Sequence, residues 1–193
     1  MSPLSDKSVE CQLATYVANL APTEIPSSAK RALSLIVIDT SASMLSGFAS
    51  KKCGRVAETF LSDNGSNPAS VVGHGDAYAA ADAAFANGVY AHWYDWDETH
   101  DDTHVHGAAV ILPATLAAWE FAKERHLRCT IGSVTAAIVA GFDVANRLGL
   151  VLKEGGHRGW MPTGSGATVG AAAAAAVILG MDDEGILSAM GLA

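Results

Sequence analysis

Six consecutive alanines, Ala171–Ala176, follow Gly170 and lead into Val177-Ile178-Leu179-Gly180. A run with no side chain beyond a methyl is a strong helix former, and its backbone can approach neighbouring helices closely. It belongs in the middle of a helical bundle. The rest of the chain is consistent with that placement: β-branched runs are short and no segment alternates at period 2. The fold class expected is all-α.

The helices can be placed one by one. Val9, Leu13, Tyr16, Val17 and Leu20 share one helical face, so a first helix runs from about Ser8 to Leu20 and stops at Ala21-Pro22. Ser27 or Ser28 caps a second that runs to about Gly47; its middle, Leu33–Ile38, is apolar nearly all round, which predicts a position inside the bundle. Ser62–Pro68 reads as a loop and Ala69–Val72 as a short strand-like piece. An Ala-rich helix follows, from Asp76 or Tyr78 to Tyr94. Another spans Pro113–Arg125, with proline in its first turn. Further helices run from Cys129 or Ser133 to Leu148, ended by Gly149, from Thr168 to Leu179, and from Asp182 onward. This makes about seven helices and no substantial sheet.

Composition excludes several functions. With 12 Lys plus Arg against 20 Asp plus Glu the net charge is −8, and no basic cluster exists to meet nucleic acid or an anionic membrane. Apolar runs are broken by polar residues, so no membrane partner is expected. Three cysteines, Cys11, Cys53 and Cys129, fit neither a zinc pattern nor a disulfide framework. With an N-terminus lacking an apolar signal region, this leads to a cytoplasmic expectation. Half the residues are hydrophobic and 17% charged, more apolar than a free-standing monomer of 193 residues needs. A partner surface is therefore expected.

One segment stands apart chemically. His92–His106 holds four histidines (His92, His100, His104, His106) and five acids (Asp95, Asp97, Glu98, Asp101, Asp102), interleaved with Trp93, Tyr94 and Trp96. Three readings are open: a metal site without a familiar spacing, a hydrated polar loop, or a metal-free acid/base site. In the last, imidazoles with an ordinary pKa of about 6.5 move protons beside carboxylates that aromatic walls desolvate. A second stretch, Gly155–Gly166, is glycine-rich. Arg158 and the amides leading into the Thr168 helix there are candidates to hold a carboxylate or phosphate, although neither a Walker A loop nor GxGxxG is present. No Ser sits in a GxSxG elbow.

Four ordered blocks then resemble the MmgE/PrpD family, which includes 2-methylcitrate dehydratase, cis-aconitate decarboxylase and iminodisuccinate epimerase. Ala84–His92 running into Asp95-Trp96-Asp97-Glu98-Thr99-His100 is similar to the family's "NG…H..D.DDTH". His106, seven residues before Pro113 in Ile111-Leu112-Pro113-Ala114, is similar to "HPS…LPA". Ala136–Val144 with Arg147-Leu148-Gly149 is similar to "AIVAGYEV..RLG". Trp160-Met161-Pro162-Thr163-Gly164, with Gly170 and the alanines, is similar to "GFHPTGT.G..GAAAAA..LGL".

The resemblance implies a helical domain over residues 1–193, with a smaller α/β lid domain of the family missing from this length. It implies a cofactor-independent and metal-free lyase or isomerase acting on small di- or tricarboxylates. His106 would be the proton carrier. Asp95 and Thr99 would bind or orient the substrate, and His100, Met161 and Thr163 would contact it. Partners implied are the carboxylate substrate and either a second copy, as a homodimer, or a second chain supplying the lid. Three departures stand out. Met161 replaces the family's usual histidine and cannot shuttle protons. Gly107-Ala108 follows His106 where Pro-Ser is usual. The chain is also about half a family chain or less, so the family's lid cations are not in it, and its own candidates are Arg147, Lys153 and Arg158. Two other readings therefore stand beside the lyase: a non-catalytic dimerising module derived from such an enzyme, and a metal-dependent hydrolase built on the His/Asp cluster.

Overall fold

The computed structural model describes residues 8–61, 68–155 and 159–193; the expected loop from Ser62 up to, but not including, Pro68 and Arg158 of the glycine-rich stretch lie outside the described residues. The described chain is all-α, with eight α-helices: α1 (Val9–Asn19), α2 (Ser27–Ala49), α3 (Lys51–Glu58), α4 (Ala80–His92), α5 (Ala108–Glu124), α6 (Ile131–Glu154), α7 (Thr168–Ile178) and α8 (Asp183–Leu192). Several starts are set by local caps. The side chains of Ser8, Ser50 and Asp182 accept from the amides of Cys11, Cys53 and Gly185, and Thr130 and Ser133 form a reciprocal box at the head of α6.

The alanine run lies where its composition suggests. In α7, Ala171, Ala173, Ala174 and Ala176 are buried. Gly141, Ala145 and Gly149 of α6 face Gly166, Gly170 and Ala174 in antiparallel register. A methyl on Gly170 would stand 2.3 Å from the Gly141 carbonyl oxygen, and one on Gly166 2.8 Å from that of Ala145. Backbone thus meets backbone along this seam, and glycine is required at the crossing. The central core, including Val105, Ile111, Leu112, Ala137, Ile138 and Ala174, is assembled around α5, α6 and α7. A second cluster with Met44, Cys53 and Tyr90 lies beneath α2 and α4, and a third joins α1, α6, α7 and α8.

Several sequence expectations need correction. The middle of α2 is not inside the bundle: Leu35, Val37 and Ile38 are exposed, and only Leu33 of that stretch is buried. Leu35, Ile38 and Leu45 lie outward on one side of it. α2 packs instead through Met44 and Gly47, whose added methyl would meet the Tyr90 carbonyl. By length and apolar character both α2 and α6 reach what a bilayer crossing needs, which the broken apolar runs did not suggest. α5 begins at Ala108, so Pro113 is internal to the helix. The proline removes the amide that would bond the Ala109 carbonyl, and Gly88 of α4 takes up the space beside that oxygen, where a methyl would stand at 3.1 Å. α6 runs through Gly149, which is there for contact with Thr103 and Val105 and not to end the helix.

α3 was not anticipated as a separate element, and α4 starts late because Ala77–Tyr78 (β2) pairs antiparallel with Ala69–Ser70 (β1). This small hairpin is tied down by side chains. Glu120 accepts from the Ser70 amide and hydroxyl at 2.8 and 2.7 Å, and Asn87 bonds both the Val72 amide and the Ser70 carbonyl at 2.9 Å. The segment ahead of α7 is a π-helical turn, Thr163–Ala167, so the helical backbone begins at Thr163 and the Thr168 amide is not a free helix start. The three cysteines are unpaired.

Candidate active site

The site forms where α4 ends and α5 begins. His92 is the last residue of α4 and His106 stands two residues before α5. The intervening segment is folded tightly: the Asp95 amide bonds the His92 carbonyl, and His100 and Val105 form an antiparallel bridge with the His100 amide on the Val105 carbonyl at 3.0 Å. Thr103 and Val105 are fully buried against Gly149 of α6. Gly107 lies against Phe142, whose ring would meet an added methyl at 2.7 Å. Glu98 turns inward and its Oε2 accepts from the Ala108 amide at 3.1 Å, so it satisfies an orphan donor at the head of α5.

This folding brings four side chains together. Asp97 is buried, its side chain wholly so, and its two oxygens face two imidazoles. His92 Nδ1 donates to Asp97 Oδ1 at 2.8 Å, and His106 Nδ1 faces Asp97 Oδ2 at 3.4 Å. The two rings lie with centroids 4.9 Å apart at 61°. Their Nε2 atoms both point to Asp95 Oδ1, at 3.7 Å from His92 and 3.5 Å from His106. Asp95 is open to solvent and holds φ 57, a left-handed backbone uncommon outside glycine. Asp97 Oδ2 and His106 Nδ1 are buried and make no aligned hydrogen bond.

The hydrogen bond from Nδ1 to the buried Asp97 fixes His92 in the tautomer that leaves its Nε2 lone pair toward Asp95, and the same carboxylate stands behind Nδ1 of His106. Such a pair can accept a proton at Nε2, hold the imidazolium against Asp97, and return the proton. Burial raises the Glu98 carboxyl above the usual carboxylate range, a shift opposed by the Ala108 amide and by His106.

Of the residues singled out from sequence, Asp95 and His106 are in this cluster. Thr99 is exposed just beyond Glu98. The His100 ring contacts the Thr103 hydroxyl at 2.9 Å. Thr163 is buried, and its hydroxyl accepts from the His106 amide at 3.0 Å, so the π turn fixes the backbone of the candidate proton carrier. Met161 is 59% exposed. Arg147 and Lys153 pair with Asp143 and Asp102. His92, Asp97 and Glu98 belong to the segment that stands apart in the sequence but receive no role of their own there, although His92 and Asp97 occupy lettered positions of the "H..D.DDTH" pattern. The aromatic walls are a correction: Tyr94 and Trp96 stack on each other at 4.6 Å, and both are exposed.

Fold and site together define an all-helical domain that presents a two-histidine, two-aspartate cluster at a helix junction. The chain belongs to the MmgE/PrpD family: residues 11–193 match the MmgE/PrpD N-terminal domain. It is 27% identical over 189 residues to the cis-aconitate decarboxylase-like protein oryM of Aspergillus oryzae, covering 96% of this chain and 39% of that protein. It is 25% identical over 190 residues to the cis-aconitate decarboxylase of Aspergillus terreus, covering 96% and 38%. The chain thus spans under two fifths of the length of these relatives.

Proposed function

We propose that this chain is the helical part of a lyase or isomerase that moves a proton next to a carboxylate in small di- or tricarboxylates, with His106 as the proton carrier. The observation that carries this reading is His106 itself, backed at Nδ1 by the buried Asp97 and turned at Nε2 toward Asp95 on the open side. In a dehydration, Nε2 takes the proton from the carbon beside the carboxylate. The C–H electron pair becomes the new C=C bond as the C–O bond breaks, and hydroxide leaves with a proton from a second acid. In a decarboxylation, the C–C bond breaks, CO₂ leaves, and the imidazolium returns a proton to the carbon. An epimerisation uses the first proton step and its reversal from the opposite face. Thr99, His100, Met161 and Thr163 are the proposed substrate-side positions, Thr163 acting through the His106 backbone.

The cluster is rich in acids, and a polycarboxylate needs cations. We infer that these come from outside this stretch, from a further domain or a second chain. The outward Leu35, Ile38 and Leu45 of α2 support a second copy or a partner chain as their cover. They also favour the other reading, a dimerising module without turnover. The test is proton exchange into citrate-like acids and cis-aconitate in deuterated water, followed by NMR. It is run on the purified chain and on whatever assembly it is isolated with. His106→Asn should lower exchange by about 10²–10⁴-fold. Absence of exchange in both preparations leaves the module reading.

A further inference from the structure

The arrangement of His92, Asp95, Asp97 and His106 meets a second chemical description. Their donor atoms all lie within 4.8 Å of one another. Three of them converge: Nε2 of His92, Nε2 of His106 and Oδ1 of Asp95, with separations to the aspartate of 3.7 and 3.5 Å. Donors around a tetrahedral zinc ion, at bond lengths of about 2.0–2.1 Å, stand roughly 3.3–3.4 Å apart. The two histidine–aspartate separations exceed that by only a few tenths of an ångström, and Asp95 is exposed.

A second, independent observation is what lies behind the rings. Asp97 is fully buried, takes the Nδ1 side of both imidazoles, and keeps one buried oxygen, Oδ2, without an aligned donor. A carboxylate holding the far nitrogen of a ligating histidine is the usual outer partner in zinc sites; it orients the ring and raises its basicity. Charge points the same way. Among the described residues the ion pairs of Asp95 and Asp97 are with histidines alone, which are neutral when they ligate.

We propose that this chain binds one divalent cation of the zinc class through His92, His106 and Asp95, with Asp97 as the outer carboxylate, and that the cation blocks proton transfer. The cation and the migrating proton compete for the same atom, His106 Nε2. The ion is therefore a reversible inhibitor, not a cofactor. The inhibitory consequence rests on the proton-transfer reading above; the binding does not.

The experiment uses Co²⁺ as the probe, since its visible d–d absorption reports coordination without any substrate. Titrating the purified chain should give one saturating equivalent with the intensity of a four-coordinate site, displaced by Zn²⁺. His92→Ala and Asp95→Asn should each abolish the spectrum, with circular dichroism confirming the fold, and Asp97→Asn should weaken binding about 10–100-fold. His126→Ala, remote from the cluster, should leave it unchanged. A chain with no saturable Co²⁺ spectrum overturns the proposal, as does a spectrum that survives His92→Ala. Neither result touches the proton-exchange assay. Conversely, a Co²⁺ site in a chain without exchange would sustain the binding and remove only its inhibitory role.

Discussion

Replacing Gly170 by alanine tests the claim that the α6–α7 seam holds the site together. The substitution is favourable in isolation: alanine is better than glycine in a helix by about 0.8–1 kcal/mol. The structure reverses the sign. The new methyl would stand 2.3 Å from the Gly141 carbonyl oxygen and 3.0 Å from the Ala145 methyl, where ordinary contact begins at 3.4 Å. The blocking atom is backbone and cannot rotate away, so the helices must part by roughly 1 Å. Overpacking of this kind costs about 1–3 kcal/mol, and a gap near 1 Å along the rest of the seam forfeits up to about half of each dispersion contact. A net loss of about 2 kcal/mol follows, which for a chain of this size lowers Tm by roughly 4–8 °C. Differential scanning calorimetry measures it. Gly54→Ala is the control, since its methyl meets only the Glu58 side chain at 3.7 Å and should raise stability by about 0.5–1 kcal/mol. If Gly170→Ala melts at or above the parent while Gly54→Ala behaves as stated, the close crossing is not a constraint and the reasoning fails.

Two further outcomes follow from the site. Asp95→Gly should stabilise the fold by about 0.5–1 kcal/mol, because glycine adopts φ 57 without strain, while removing a carboxylate from the cluster. A lower urea midpoint would count against strain at this position. Glu98 provides a pH dependence: its folded carboxyl sits above the usual range, so the folded chain binds that proton more tightly than the unfolded one. Its contribution is full at acid pH and is lost as pH rises from the usual carboxylate range through the raised value. Glu98→Gln keeps an acceptor for the Ala108 amide without the charge. Its stability relative to the parent should therefore rise between about pH 4 and pH 7, and a constant or shrinking difference would contradict the assignment.

Much of the helical layout was legible because its signals are local. Ser8 and Asp182 announce helix starts by side chains that bond amides three residues on, and no tertiary information is needed to see them. The alanine run was legible for the opposite reason, since without side chains it had few other uses. What could not be read depends on neighbours distant in sequence. The apolar middle of α2 looks like a core helix, but which face is covered is decided by α4 at Gly47 and Tyr90. Asp95, Asp97, Asp101 and Asp102 are equivalent as letters. Asp97 alone among them is buried, because Thr103 and Val105 anchor the segment against α6. Thr163 was named for the substrate, yet its hydroxyl is used on the His106 amide, a contact spanning 57 residues.

The π turn at Thr163–Ala167 carries a consequence for which lengths of chain are compatible with the site. A π turn holds one residue more than an α turn, and each residue of an α-helix advances the backbone by about 100°. Removing a single residue between Thr163 and Ala167 would let the turn relax to regular α geometry and leave α7 seated on α6. The α turn left behind covers nearly the same rotation as the π turn, so Thr163 would keep its place against the His106 amide. A deletion of two residues exceeds the one extra residue the turn holds and would swing Thr163 by about 100° away from that amide, so among natural variants the spacing from Thr163 to Gly170 should vary by one residue at most.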